Sequence, residues 1–258
     1  MNSGKKAIFI TGAASGIGRA TANLFASRGC FVGLYDRNAE PLEAVYKEIG
    51  EGNGCRQVMD VTNESSIDSA FNHFAAASSG RIEVLFNCAG IMEVGNFEEV
   101  PMELHKRVFD INVNGVMACT HRALPLLKAT SGSHVISMCS ASAVYGTPDL
   151  ASYSASKFAV RGFTEAMNLE WRKFGVTVCD IMAPFVNTPM VRNAKHSVSM
   201  DRVGVKLTPE MVAETVWKAA HGRRVHWPVG GEFTFLYWMS GAFLSPTNRW
   251  FMRHYSGY

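Results

Sequence analysis

The feature that most constrains this chain is an alternation. Short apolar runs of strand length are separated by longer segments whose apolar residues recur every three or four positions. Lys5–Thr11, Phe31–Tyr35, Arg56–Met59, Ile82–Phe86, Ser133–Met138, Val176–Met182 and Val225–Val229 read as strands. Helices are expected over Ile17–Arg28, Pro41–Ile49, Ser65–Ala77, Met102–Lys128 (bent near Gly115), Ala151–Phe174 and Pro209–Ala220. Strands that alternate with helices pair in parallel, because a crossover helix must return the chain to the same edge of the sheet. The apolar runs lack a polar face, as expected of strands covered on both sides. The expected class is therefore α/β, a doubly wound parallel sheet with helices on both faces. No Pro/Gly/Ser-rich linker, charge run or repeat divides the chain, so residues 1–258 read as a single domain.

Composition narrows the function classes. Apolar residues make up 47% and charged residues 18%, which is globular rather than disordered. The net charge of +3 is matched by the segment from His221 onward, where Arg223, Arg224, Arg249 and Arg253 face only Glu232. The remainder is balanced, which argues against a nucleic-acid surface. Cys30, Cys55, Cys88, Cys119, Cys139 and Cys179 form no CxxC or metal-type cluster, so no metal site is expected and the thiols read as reduced. The apolar run Ala7–Ile10 is too short for an export signal and no stretch is long enough to span a bilayer. The expected location is cytoplasmic.

Polar signals fall where the strands end. Gly12, Ser15, Gly16, Ile17 and Gly18 lie in a glycine-rich turn between the first strand and the first helix. Glycines there let the backbone approach a pyrophosphate, and the helix N-terminus offers unpaired N–H groups. Asp36 ends the second strand 18 residues after Gly18. A carboxylate there can accept hydrogen bonds from ribose hydroxyls and would repel a 2′-phosphate. Arg37 could bind that phosphate, but Ser15 stands where a basic residue would have supported it. NAD is the expected cofactor, ahead of NADP.

Tyr153 and Lys157 are four residues apart on an expected helix and share a face. A phenol titrates near 10, and an ammonium beside it favours the phenolate, making tyrosine a usable acid/base. Ser140, 13 residues before Tyr153, follows a strand and can hydrogen-bond a substrate oxygen. With Thr11–Gly18, Asp60-Val61, Asn87-Cys-Ala-Gly90, Asn112 and Pro184–Thr188, these residues make the chain resemble a short-chain dehydrogenase/reductase of the classical type, a Rossmann-type fold.

The resemblance implies roles. Tyr153 would be the general acid/base, Lys157 would lower its pKa and hold the nicotinamide ribose, and Ser140 would polarise the substrate oxygen. Asn112, rather than nearby Asn114, would hold a water in a proton relay through Lys157. Asp60 and Val61 would contact adenine. Asn87, Ala89 and Gly90 would line the cofactor cleft. Thr188 would bind the carboxamide, with Pro184 and Val186 beside it, and Asp36-Arg37 goes with NAD. A homodimer or homotetramer is also implied. The chain departs from the family pattern at Cys88, where asparagine is usual, and at Phe185, where glycine is usual. Phe185 either lines the substrate site or turns into the core.

The substrate is less constrained. Residues 185–207 are poorly patterned and read as a lid. Residues 230–258 are aromatic-rich. They could cover the site against a bulky apolar substrate, fill an oligomer interface or, the least favoured reading, lie on a membrane surface. The expected reaction interconverts a hydrophobic secondary alcohol and its ketone, of steroid, retinoid or fatty-acyl type. The alternatives are a 3-oxoacyl thioester or small polar carbonyl as substrate, a catalytically silent NAD(H)-binding regulator or scaffold, and a sugar-nucleotide epimerase or dehydratase. The complete set Asn112, Ser140, Tyr153 and Lys157 argues against a silent protein.

Overall fold

A computed structural model describes residues 4–240 apart from His196. Seven strands form one parallel sheet: β1 (Ala7–Thr11), β2 (Phe31–Asp36), β3 (Gly54–Val58), β4 (Val84–Asn87), β5 (His134–Met138), β6 (Thr177–Met182) and β7 (His226–Pro228). Their spatial order is β3-β2-β1-β4-β5-β6-β7. The first three strands wind outward from β1, and the chain then crosses to β4 and winds the other way. Ligands in such sheets bind beyond the carboxyl ends of the strands where the winding reverses, here β1 and β4.

Side chains alternate across each strand, so both faces are buried. On one face Ile8, Ile10, Val32 and Leu34 pack against α1 (Gly16–Ser27), α2 (Ala39–Ile49) and α9 (Pro209–Ala219) through Phe25, Leu42, Val45, Val212 and Val216. On the other, Phe9, Tyr35 and Val135 meet α3 (Glu64–Ala77) and α5 (Gly115–Ala129) through Phe71, Phe74, Cys119 and Ala123. Phe9 lies between Tyr35 and Phe71, with ring centroids 3.9 and 4.2 Å away. These large side chains are fully buried, and each contributes on the order of 1.5–3 kcal/mol of transfer free energy.

The long helix expected over 102–128 is present as α4 (Met102–Phe109) and α5, joined by a π-helical turn, Asp110–Asn114, immediately before Gly115. The bend expected at the glycine is thus a wider turn centred on Asn112. The helix expected over 151–174 is α6 (Ala151–Glu170), tightened to a 3-10 turn at Trp171–Phe174. The lid carries two short helices, α7 (Pro189–Arg192) and α8 (Val198–Val203). Its ends are tied by a bridge between Val186 and Leu207 and by the Asn187 N–H donating to the Leu207 carbonyl at 2.9 Å. The segment after β7 forms α10 (Gly231–Ser240), a helix that the continuous apolar run concealed. The aromatic stretch expected beyond it, 241–258, lies outside the described residues.

Candidate active site

The loops after β1, β2, β4, β5 and β6 converge on one cavity of about 1280 Å³. That exceeds the roughly 300–1,000 Å³ typical of a drug-sized ligand and leaves room for a dinucleotide plus a substrate.

One end is built for a nucleotide. Gly12 adopts φ +68°, and a Cβ there would stand 2.8 Å from the Ala89 backbone. A Cβ on Gly18 would stand 2.0 Å from the Gly12 carbonyl oxygen. Only glycines let this turn lie against the loop after β4 while α1 begins behind it. Thr11 Oγ1 joins the two loops, accepting from the Cys88 and Ala89 N–H groups at 3.0 Å each. Gly12, Ser15, Gly16 and Ile17 line the cavity, whereas Gly18 stands behind them as a packing residue.

Asp36 is buried at the cavity wall and accepts from the Ala14 N–H at 3.1 Å and the Asn38 N–H at 2.9 Å. A carboxylate has about four acceptor sites, so capacity remains for a ligand hydroxyl. Arg37, Asp60 and Val61 also line this end. The Thr62 N–H and hydroxyl donate to Asp60 at 2.9 and 2.8 Å and hold its carboxyl below the usual range.

The other end is built for proton chemistry. Ser140 follows β5, while Tyr153 and Lys157 project from one face of α6; all three line the cavity. Ser140 Oγ accepts from the Ser142 N–H at 3.1 Å and donates to the Ala183 carbonyl at 3.5 Å. Lys157 Nζ donates to the Met138 carbonyl at 2.8 Å and lies 5.5 Å from the centre of the Tyr153 ring. Burial pushes the Tyr153 phenol up to about 12, against the opposing pull of its hydrogen bond with Ser140. Burial also lowers the Lys157 ammonium.

Lys157 is thus desolvated and anchored on the Met138 carbonyl, and Ser140 is a hydrogen-bond partner that draws the Tyr153 phenol down. Cys88, also on the wall, has its thiol pushed up to about 12 by burial.

Two expected residues stand behind the wall. Asn112 is fully buried; its Oδ1 accepts from the Ile91 N–H and its Nδ2 donates to the Ile91 carbonyl, both at 2.9 Å, and to Ser156 Oγ at 3.1 Å. Its side chain clamps the loop after β4. Asn87 is also buried and donates to Thr120 at 2.9 Å, so it does not line the cleft. Ala89, Gly90, Pro184, Val186 and Thr188 do line it. Phe185 lies on the wall, half-buried, rather than in the core.

Arg107, Asp110, Ile111 and Asn114 form a further strip of wall that was not anticipated. Their spacing of three or four along one helix was the available signal. The roof comes from α10, through Phe233, Phe235, Leu236, Tyr237 and Met239, and from the lid, through Met190, Val191 and Val203. Among the described residues no group of three or more His, Cys, Asp or Glu could hold a metal ion.

With this geometry in view, comparison with known proteins is informative. A family model described as short chain dehydrogenase matches residues 6–199. Cyclohexanol dehydrogenase of Acinetobacter sp. (strain SE19) is 32% identical over 215 residues, 82% of this chain and 86% of that protein. The crystal structure of a 3-ketoacyl-(acyl-carrier-protein) reductase from Brucella melitensis, complexed with NADH, superposes with a TM-score of 0.80 at 27% identity, covering 88% of this chain and 97% of that one. An actinorhodin polyketide ketoreductase variant with NADPH does so with a TM-score of 0.79 at 27% identity, covering 89% and 97%. The chain belongs to the short-chain dehydrogenase/reductase family of oxidoreductases.

Proposed function

We propose that this protein is an NAD(H)-dependent oxidoreductase that interconverts a hydrophobic secondary alcohol and its ketone. The observation that carries the reading is the convergence of Ser140, Tyr153 and Lys157 at one end of a cavity whose other end is the glycine turn and Asp36. A nicotinamide dinucleotide would supply the hydride acceptor or donor. Gly12–Ile17 would hold its pyrophosphate, Asp36 its adenosine ribose, Asp60 and Val61 its adenine, and Thr188 its carboxamide end. Asp36 supports NAD over NADP. Arg37 and Arg107 are the two cations at that end that a 2′-phosphate would use. Solved relatives bind either NADH or NADPH.

In the oxidative direction the carbinol hydrogen would leave with its electron pair to the oxidised nicotinamide, and the hydroxyl proton would pass to Tyr153 in its phenolate form. In the reductive direction Tyr153, protonated at neutral pH, donates to the ketone oxygen while Ser140 hydrogen-bonds it. Lys157 keeps positive charge beside the phenol and fixes the floor of the site through Met138. Asn112 holds the Ile91 backbone so that the loop after β4 stays open to the cofactor.

The apolar roof of Phe185, Phe233, Leu236, Tyr237 and Met239 supports a bulky apolar substrate. The related cyclohexanol dehydrogenase is named for an apolar cyclic alcohol. The test is turnover with NAD of alcohols graded from short and polar to cyclic and apolar. Activity concentrated on the apolar members and lost in Tyr153→Phe supports the reading. NADH binding without turnover of any member would refute it.

A further inference from the structure

We propose that the roof of the cavity is a docking surface for an anionic lipid bilayer. The roof carries apolar side chains on its outside as well as its inside. Phe235 and Trp238, one turn apart on α10, are 64% and 67% exposed. Met190, Val198, Val205 and Met211, on or beside the lid, are exposed too. Met190, Met211 and Phe235 also line the cavity, which places them at its rim. Exposed large apolar residues in one patch mark an interaction surface, whereas scattered ones do not. Tryptophan and phenylalanine beside an opening suit the interfacial layer of a membrane, where a ring sits at headgroup depth.

Charge selects the kind of partner. Residues 186–207 contain Arg192, Lys195, Arg202 and Lys206 against one acid within the segment, Asp201; Lys206 is also paired at 2.9 Å with Glu232 of α10, which leaves four cations against two acids at the rim. This basic segment flanks the apolar rim. Apolar anchors ringed by cations are the pattern of a peripheral protein held by shallow insertion plus attraction to anionic headgroups. No helix among the described residues is long and apolar enough to cross a membrane.

The test uses the full chain and sucrose flotation with two kinds of vesicle. One is pure phosphatidylcholine; the other is equal parts phosphatidylcholine and phosphatidylglycerol. The protein is expected to float with the anionic vesicles, much less with the neutral ones, and to be released by high salt. A Phe235→Ser/Trp238→Ser variant should bind at least about tenfold more weakly, since two buried aromatic anchors are lost. Lys195→Gln should weaken binding about fivefold at low salt, the effect of one cation near an anionic surface. Thermal melting without lipid should be unchanged in both variants, which separates lost docking from lost fold.

Three results would overturn the proposal. The wild type could remain in the lipid-free fraction. The double aromatic variant could float like the wild type. Or those two substitutions could dissolve an oligomer formed without lipid, assigning the face to a second copy of the chain. Flotation is read without turnover, so its failure leaves the redox reading untouched, and a failure of that reading leaves docking standing.

Discussion

Tyr153 must change protonation state during the proposed reaction, and its surroundings set the sign of the pH dependence. Burial holds the phenol up at about 12, so it is neutral across the physiological range. Reduction, which consumes the proton, should be insensitive to pH near neutrality. Oxidation needs the phenolate, so its kcat/KM should climb with pH toward the alkaline limit of the assay. Ser140→Ala removes the hydrogen bond that pulls the phenol down and should move that rise to still higher pH, as a pH profile would show. Tyr153→Phe should lower kcat by on the order of 10²–10⁴-fold with little change in NADH affinity. Gly12→Ala places a Cβ 2.8 Å from the Ala89 backbone at a φ of +68°, and should weaken NADH binding in a fluorescence titration. Phe185→Gly should shift preference toward larger alcohols, measured as the ratio of kcat/KM across the graded series. Unchanged preference would remove Phe185 from the substrate wall. The sequence marked Asp36 and Ser140 because each sits at a strand end that its neighbours identify, and Tyr153 and Lys157 because their spacing puts both on one face of a helix. It did not reveal that Asn112 and Asn87 turn inward. Whether a side chain faces a cavity or the packing behind it depends on contacts made across 21 residues to Ile91 and 33 residues to Thr120.

Among the elements, α10 was the hardest to read, and a buried ion pair holds β7, the strand that precedes it. Asp180, fully buried in β6, has both carboxylate oxygens 3.0 Å from His226 Nδ1 on β7. His226 Nε2 lies 3.1 Å from Glu165 on α6, to which Arg161 donates at 3.0 Å. Burial disfavours the charged imidazole, but the Asp180 hydrogen bond and charge outweigh it and hold the His226 pKa above its ordinary value of 6.5. A raised folded-state pKa means this stabilisation is full below the unfolded value and is lost as pH rises through the folded one. The melting temperature should therefore decline as pH rises from about 6.5 through the folded-state value, and His226→Gln should remove that decline. His226→Ala strands the Asp180 carboxylate and should cost about 3–5 kcal/mol by chemical denaturation. Tyr237, whose ring centre lies 6.3 Å from that of His226, passes the support on to α10 and the roof. No periodicity announces α10, because residues 233–239 are apolar on every side apart from Thr234 and the chain around them supplies no polar face.

At the scale of the whole molecule, the parallel sheet explains why one cavity collects residues from Gly12 to Met239. Every crossover returns the chain so that each strand ends on the same side, and the reversal at β1 and β4 opens a crevice there. This much was legible because alternation of strand and helix patterns leaves few topologies. The lid and roof were legible only as exceptions to pattern. The central claim is hydride exchange between an apolar alcohol and NAD at Tyr153. The most direct measurement incubates the protein with NAD and cyclohexanol deuterated at the carbinol carbon, then analyses the NADH by mass spectrometry. Deuterium appearing in the NADH, together with a primary isotope effect and its loss in Tyr153→Phe, is the predicted result. NADH that forms without the label, or no NADH from this or any larger apolar alcohol, would contradict the account.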